Sequence, residues 1–170
     1  MHGFRISVAE ILGRPTASRD IRVLAPLAEV GNALARLTDG PVAASLRADS
    51  VVEGILVTGK ARADARLECA RCLTAFASQV AVEVCELFSG PGHEAPEDGY
   101  RVSGTEIDLE PMLRDGIVLS LPLKPLCRDD CAGLCASCGI DLNQGACTCT
   151  QVTTDPRWAP LEALRDRLES

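Results

Sequence analysis

Between Leu126 and Cys149 the chain reads LCRDDCAGLCASCGIDLNQGACTC, with the spacing Cys127-x3-Cys131-x3-Cys135-x2-Cys138-x8-Cys147-x-Cys149 and no histidine. No other stretch limits the fold as much. It has too few large apolar side chains to build a core of its own, so something other than burial must hold it in shape. A second pair, Cys69-Ala-Arg-Cys72, lies far upstream, and Cys85 brings the total to nine. An odd count leaves at least one thiol without a partner in any all-disulfide scheme.

The start, MHGFRISVAEILGRP, lacks the uninterrupted apolar stretch of a secretory signal, and no run of ~18 apolar residues offers a membrane span. A cytoplasmic protein with no membrane partner is expected. A reducing compartment does not maintain structural disulfides, so the thiols point to metal or redox chemistry. In Cys135-Ala-Ser-Cys138-Gly139, two intervening residues let both thiolates face one ion, and the glycine permits the turn that aims amide N–H groups at sulfur. Cys147 and Cys149, one residue apart, share a face of extended chain and complete a four-thiolate set with Cys135 and Cys138. Cys127 and Cys131 converge within one turn, and with Cys69 and Cys72 they make a second set that staples the tail to the rest. Eight ligands in two sites leave Cys85 out, and it is expected to be an inert buried thiol. Other pairings, including one site with spare thiols, stay open at this point.

All-thiolate coordination leaves no position for water, so the expected cofactor is structural Zn2+, one or two ions, without catalysis. None of the spacings matches the ferredoxin patterns of iron–sulfur proteins. A thiol-redox or metal-responsive regulator using Cys69 and Cys72 is the competing class, although redox pairs of that kind open a helix after a strand. His2 and His93 read as surface residues. No Ser/His/Asp constellation, phosphate loop or paired catalytic carboxylate can be assembled.

The formal charge is −7. Residues 83 to 115 hold nine acids (Glu83, Glu86, Glu94, Glu97, Asp98, Glu106, Asp108, Glu110 and Asp115) against Arg101 and Arg114, while the remainder is balanced. Phosphate neutralisation supplies most nucleic-acid affinity, so this imbalance argues against tight, unaided RNA binding. The cysteine stretch also lacks aromatic platforms for bases, since none stands between Tyr100 and Trp158. An acidic face that meets a basic protein is the functional reading, against a merely solvated loop.

Periodicity predicts an antiparallel α+β domain. FRISV reads as an opening strand. PLAEVGNALARL places Leu27, Val30, Leu34 and Leu37 on one helical face. VAASLRA, VVEGILVTG and KARADARLEC read as strands, the last alternating Ala61, Ala63, Ala65, Leu67 and Cys69 against Arg62, Asp64, Arg66 and Glu68. AFASQVAVEVCEL puts Phe76, Val80, Val82 and Val84 on one face, and residues 70–73 make a hairpin of these last two runs. Asp108 is the expected N-cap of a helix burying Leu109, Met112, Leu113 and Ile117, which Pro122 and Pro125 end. DPRWAPLEALRDRLES reads as a last amphipathic helix with Leu161, Leu164 and Leu168 inward and Trp158 as a packing anchor. The expected organisation is residues 1–121 as the α+β domain, an antiparallel sheet with flanking helices. Residues 122–150 form a cysteine-rich, zinc-ribbon-like module, and 151–170 a helix packing back on the domain.

LECARCL, EIDLEPMLRDGIVLSLPLKPLC, CAGLCASCGIDLN, CTC and DPRWAPLEAL occur in an order and spacing that closely resemble the YceD family, the large ribosomal RNA subunit accumulation proteins. The likeness runs from about residue 20 to 168, and Ala136 stands where the family's usual residue is proline. The resemblance implies a non-catalytic role in accumulation of large-subunit (23S) ribosomal RNA, and hence in ribosome biogenesis in a bacterium. The expected partner is a ribosomal protein or large-subunit assembly factor, bound through the acidic region 83–115 and with RNA contact indirect.

Overall fold

A hairpin of two fifteen-residue strands is the spine of the molecule, β5 (Gly54–Glu68) and β6 (Ala75–Ser89), paired in register from Gly54↔Ser89 to Glu68↔Ala75. The computed structural model describes residues 3–149 and Arg157. Before the spine come β1 (Arg5–Ser7), β2 (Ser18–Pro26), β3 (Ala35–Leu37) and β4 (Pro41–Val51). After it come β7 (Tyr100–Arg101), β8 (Glu106–Asp108) and one helix, α1 (Leu109–Ser120).

The main sheet runs β2-β4-β5-β6-β7, with β3 paired to the far half of β5. Every pairing in it is antiparallel except β6 with β7, so the sheet is mixed. β1 and β8 form a separate antiparallel pair. The period-two pattern explains the core. Ile21, Val23 and Ala25 of β2, Val42, Ala44, Leu46 and Ala48 of β4, and Ile55, Val57, Ala61, Ala63, Ala65 and Leu67 of β5 all bury one face. Ala61, Ala63 and Ala65 supply the middle of the β5 share of that face.

α1 packs across β6 and touches β1. Its start is fixed as expected: the Asp108 side chain accepts from the Glu110 N–H at 3.0 Å. Leu109, Met112, Leu113 and Ile117 are its buried face. Gly116 lies against β6, where a Cβ would stand 3.1 Å from a Val82 methyl carbon, so even alanine there would need Val82 to give by a few tenths of an ångström. The Leu121 N–H closes the helix by donating to the Ile117 and Val118 carbonyls.

Three expectations are corrected. Residues 26–37 are not a helix but the end of β2, a loop and β3. The Asn32 side chain accepts from the Leu34 and Ala35 N–H groups, both at 2.9 Å, and Glu29 takes a left-handed φ of 55°. Turn chemistry therefore outweighs the helical spacing, while the loop still sends Leu27 and Val30 into the core. The expected flanking helices reduce to α1 among the described residues. The separate strands VVEGILVTG and KARADARLEC are one strand, because Val52 and Glu53 form the turn from β4 and the chain then runs unbroken through Gly59. The amphipathic segment with Leu161, Leu164 and Leu168, and Trp158, lie outside the described residues. No helix among the described residues is long and apolar enough to cross a membrane.

Candidate metal centres

The eight cysteines singled out from spacing fall into two groups, Cys69/Cys72/Cys127/Cys131 and Cys135/Cys138/Cys147/Cys149, each with its four sulfurs within 4.8 Å of one another. In the first, Cys69 Sγ lies 3.8 Å from Cys131 Sγ and Cys72 Sγ 3.6 Å from Cys127 Sγ. In the second, Cys147 Sγ lies 3.3 Å from Cys135 Sγ and 3.5 Å from Cys138 Sγ. A disulfide needs ~2.05 Å, and all nine thiols are free. Four sulfurs held ~2.3 Å from one ion at tetrahedral angles stand ~3.8 Å apart, and the four separations above, 3.3 to 3.8 Å, lie at or a little inside that value. The donor set fits a metal ion at both places.

Each group is built on a turn of the same design. At the tip of the β5–β6 hairpin, the Cys69 N–H donates to the Thr74 carbonyl (3.0 Å) and the Leu73 N–H to the Cys69 carbonyl (2.9 Å). Downstream, the Cys135 N–H donates to the Ile140 carbonyl and the Gly139 N–H to the Cys135 carbonyl, both at 2.9 Å. The residue after the second cysteine is left-handed in both, at φ 58° for Leu73 and 75° for Gly139. Glycine meets that demand without strain; leucine does not. The downstream knuckle aims an N–H group at sulfur, with the Ser137 N–H 3.4 Å from Cys135 Sγ; in the Cys147-x-Cys149 pair the Cys149 N–H lies 3.2 Å from Cys147 Sγ.

The first group, hereafter the inner cluster, is buried. Cys69 is 0% exposed, Cys131 2% and Cys72 7%, packed with Phe76, Leu126 and Leu134; Cys127 faces solvent. Backbone bonds weld the tail to the hairpin tip around it, from the Ala70 N–H to the Pro125 carbonyl (2.8 Å) and from the Leu134 N–H to the Arg71 carbonyl (3.0 Å). The Arg71 guanidinium adds a bond to the Cys131 carbonyl at 2.9 Å. In the second, outer cluster, no cysteine is buried.

The thiols within each group pull one another's protonation apart. Burial opposes ionisation of Cys69, but the N–H groups of Cys127, Cys72 and Arg71 and the Cys72 thiol outweigh it and hold it at about 6. The Thr74 hydroxyl and N–H lower Cys72. Desolvation of its sulfur within the group, then the neighbouring sulfurs, pushes Cys127 up to about 12. Cys135 is held at about 6 by the N–H groups of Cys138 and Ser137. Its neighbours Cys147 and Cys138 push Cys149 up to about 12. Four like charges in so small a volume require a cation before all can ionise.

Sequence reasoning missed the side chains that hold the ligands. Asn143 bonds Cys131 Sγ through its amide nitrogen (3.5 Å), accepts from the Ala132 N–H (2.8 Å) and the Arg128 guanidinium (2.7 Å), and is set by an Asp141 turn. The Asp141-Leu-Asn143 spacing was the available signal. Cys85 is corrected: it is exposed on the outward face of β6, opposite Thr58, and belongs to neither cluster. His93 is exposed, as expected.

Comparison with known proteins follows the same lines. The family described as "Large ribosomal RNA subunit accumulation protein YceD" matches residues 57–165, a stretch that includes both clusters. An uncharacterized protein of Mycobacterium bovis is 38% identical over 165 residues, covering 92% of this chain and 78% of its own. One of Mycobacterium leprae is 40% identical over 137 residues, 76% of this chain and 63% of its own. A protein of Arabidopsis thaliana named "Large ribosomal RNA subunit accumulation protein YCED homolog 1, chloroplastic" is 33% identical over 64 residues, 38% of this chain and 20% of its own. No solved structure matches. With the family match spanning most of the chain and both four-cysteine groups inside it, the chain belongs to the YceD family.

Proposed function

We propose that this protein is a non-enzymatic, cytoplasmic factor supporting accumulation of large-subunit ribosomal RNA, with a structural zinc ion in each cysteine cluster. The observation that carries the reading is the closed donor set. Each cluster brings four thiolates to one point and offers no fifth place for water or substrate, which suits an ion that fixes shape. Cys69, Cys72, Cys127 and Cys131 hold the inner ion, making the tail and hairpin tip one rigid surface. Cys135, Cys138, Cys147 and Cys149 hold the outer ion in a ribbon-like loop. The redox alternative at Cys69 and Cys72 has less support, because Cys69 is wholly buried and both thiols belong to a four-sulfur group.

The partner in this reading is a basic ribosomal protein or assembly factor, and contact with RNA is indirect. Of the nine acids between 83 and 115, four are engaged within the protein: Glu83 with Lys60, Asp108 with Arg5, Glu110 with Arg114, and Asp115 with Tyr100. Among the described residues the exposed carboxylates of Glu86, Glu94, Glu97, Asp98 and Glu106 have no such partner. These five are the free charge of the proposed face. Replacing them with glutamine or asparagine is expected to abolish capture of a basic ribosomal protein or assembly factor from a ribosome-containing extract. Recovery of naked RNA alone, undiminished in the variant, would refute the proposed contact. Native mass spectrometry tests the metal, with two zinc ions expected per chain.

A further inference from the structure

The two clusters differ in what else holds their parts together. Around the inner one, backbone bonds from Ala70 and Leu134 and the Arg71 guanidinium tie tail to hairpin in addition to the sulfurs. Around the outer one, the knuckle 135–140 is self-bonded and Leu142 is tied to Gly133. Beyond Gln144 that bonding stops. Gly145 through Cys149 makes no backbone hydrogen bond to any other described residue. Its recorded polar contacts are those of its own two thiols, Cys147 Sγ against Cys135 and Cys138 and the local Cys149 N–H. An ion in the outer cluster would therefore be the latch for this end of the module.

That latch is open to solvent. Cys138 and Cys149 are exposed, and Cys135 and Cys147 half-buried. Cys138 Sγ stands 3.5 Å from Cys147 Sγ, close enough for a bond to form with a small shift.

We infer that the outer cluster is a releasable clasp, opened by oxidation of Cys138 and Cys147 to a disulfide while the inner cluster stays closed. The inference rests on the metal reading above. Cys138 Sγ attacks the terminal oxygen of a hydroperoxide; the O–O bond breaks, the oxidant takes two electrons, and an alcohol or water leaves after gaining a proton. The sulfenic acid left on Cys138 is attacked by the Cys147 thiolate. An S–S bond forms, hydroxide departs and is protonated to water, and the sulfur pair has lost two electrons in all. Cys135 and Cys149 then remain as two ligands, too few to keep a tetrahedral ion, which is released. A thiol reductant reverses the disulfide and restores the site. Three of the four inner ligands are buried, so the oxidant meets the outer set first.

The test uses the full-length, metal-loaded protein and graded hydrogen peroxide. Exposed Cys85, outside both clusters, serves as an internal gauge of oxidant reach. Released zinc is followed with a chromogenic chelator, disulfides by alkylation and peptide mass spectrometry, and chain opening by limited proteolysis within 140–149. The expected result is loss of one of two ions together with a Cys138–Cys147 disulfide, new cleavage in that segment, and inner cysteines still protected. Simultaneous loss of both ions, earlier loss from the inner set, or retention of both once Cys85 is fully modified would overturn the clasp. Native mass spectrometry before oxidant separates the two readings, because a chain that never carried an outer ion defeats the metal reading itself.

Discussion

The knuckles at Cys69–Leu73 and Cys135–Gly139 share one backbone pattern and differ in almost everything around it. The first caps a hairpin of two long strands, lies under Phe76, Leu126 and Leu134, and carries a leucine at its left-handed position. The second stands in a loop, has no buried cysteine, and carries glycine there. The turn is thus a local solution suited to sulfur ligation, while its rigidity is borrowed from its neighbours. A sheet can force leucine into an unfavourable φ at a cost of ~1–2 kcal/mol; a loop with few other bonds does better with a residue that bears none.

The widest separation of the two should come from removing one ligand of each. Structural zinc supplies ~10–16 kcal/mol in isolated modules, comparable with the whole stability of a typical domain. Cys69→Ser is expected to cut the metal count from two to one and to lower the thermal midpoint of the sheet. Cys147→Ser should cut the count equally and leave that midpoint in place. Equal midpoints in both variants would mean that the inner cluster does not brace the sheet. A smaller loss, ~2–5 kcal/mol in denaturant, is expected for Ile117→Ala, which opens a cavity under α1. Both ions should stay bound at low denaturant, since the buried face of α1 belongs to the sheet's core and the inner cysteines to a separate cluster. Gly139→Leu imposes the inner knuckle's strain on the outer one. No atom would lie within 4 Å of the new Cβ, so the cost is conformational, ~1–2 kcal/mol, read as roughly tenfold weaker outer metal binding in a chelator competition. The reciprocal Leu73→Gly relieves strain but frees the unfolded chain, so inner affinity should rise by less than ~1 kcal/mol.

The two four-cysteine groupings are legible in the sequence because spacing alone brings Cys135 to Cys138 and Cys147 to Cys149, and the hairpin at 70–73 is plain from two alternating runs. The helix after β8 was legible down to its cap. What failed did so for physical reasons. Leu27, Val30, Leu34 and Leu37 satisfy a helical spacing, yet Gly31-Asn32 sits between them, and the Asn32 side chain captures the N–H groups a helix would need. β2 went unread although Ile21, Val23 and Ala25 alternate, because Leu24, 73% exposed, breaks the pattern. The usual behaviour of free cysteine predicts Cys85 in the core, while the even-numbered face of Phe76, Val80 and Val84 turns it outward. Strict parity was the better guide there.

The inner cluster joins partners 55 and 62 positions apart along the chain. During synthesis the hairpin tip therefore leaves the exit tunnel long before Cys127 and Cys131 do, and waits with two unliganded thiols. Four-point capture can happen only after β7, β8 and α1 have been made and the Pro122–Pro125 corner has swung round to Ala70. An ion taken up at this place would thus arrive late in the life of the nascent polypeptide, after both strands of the spine, β7, β8 and α1 have been made and correctly threaded.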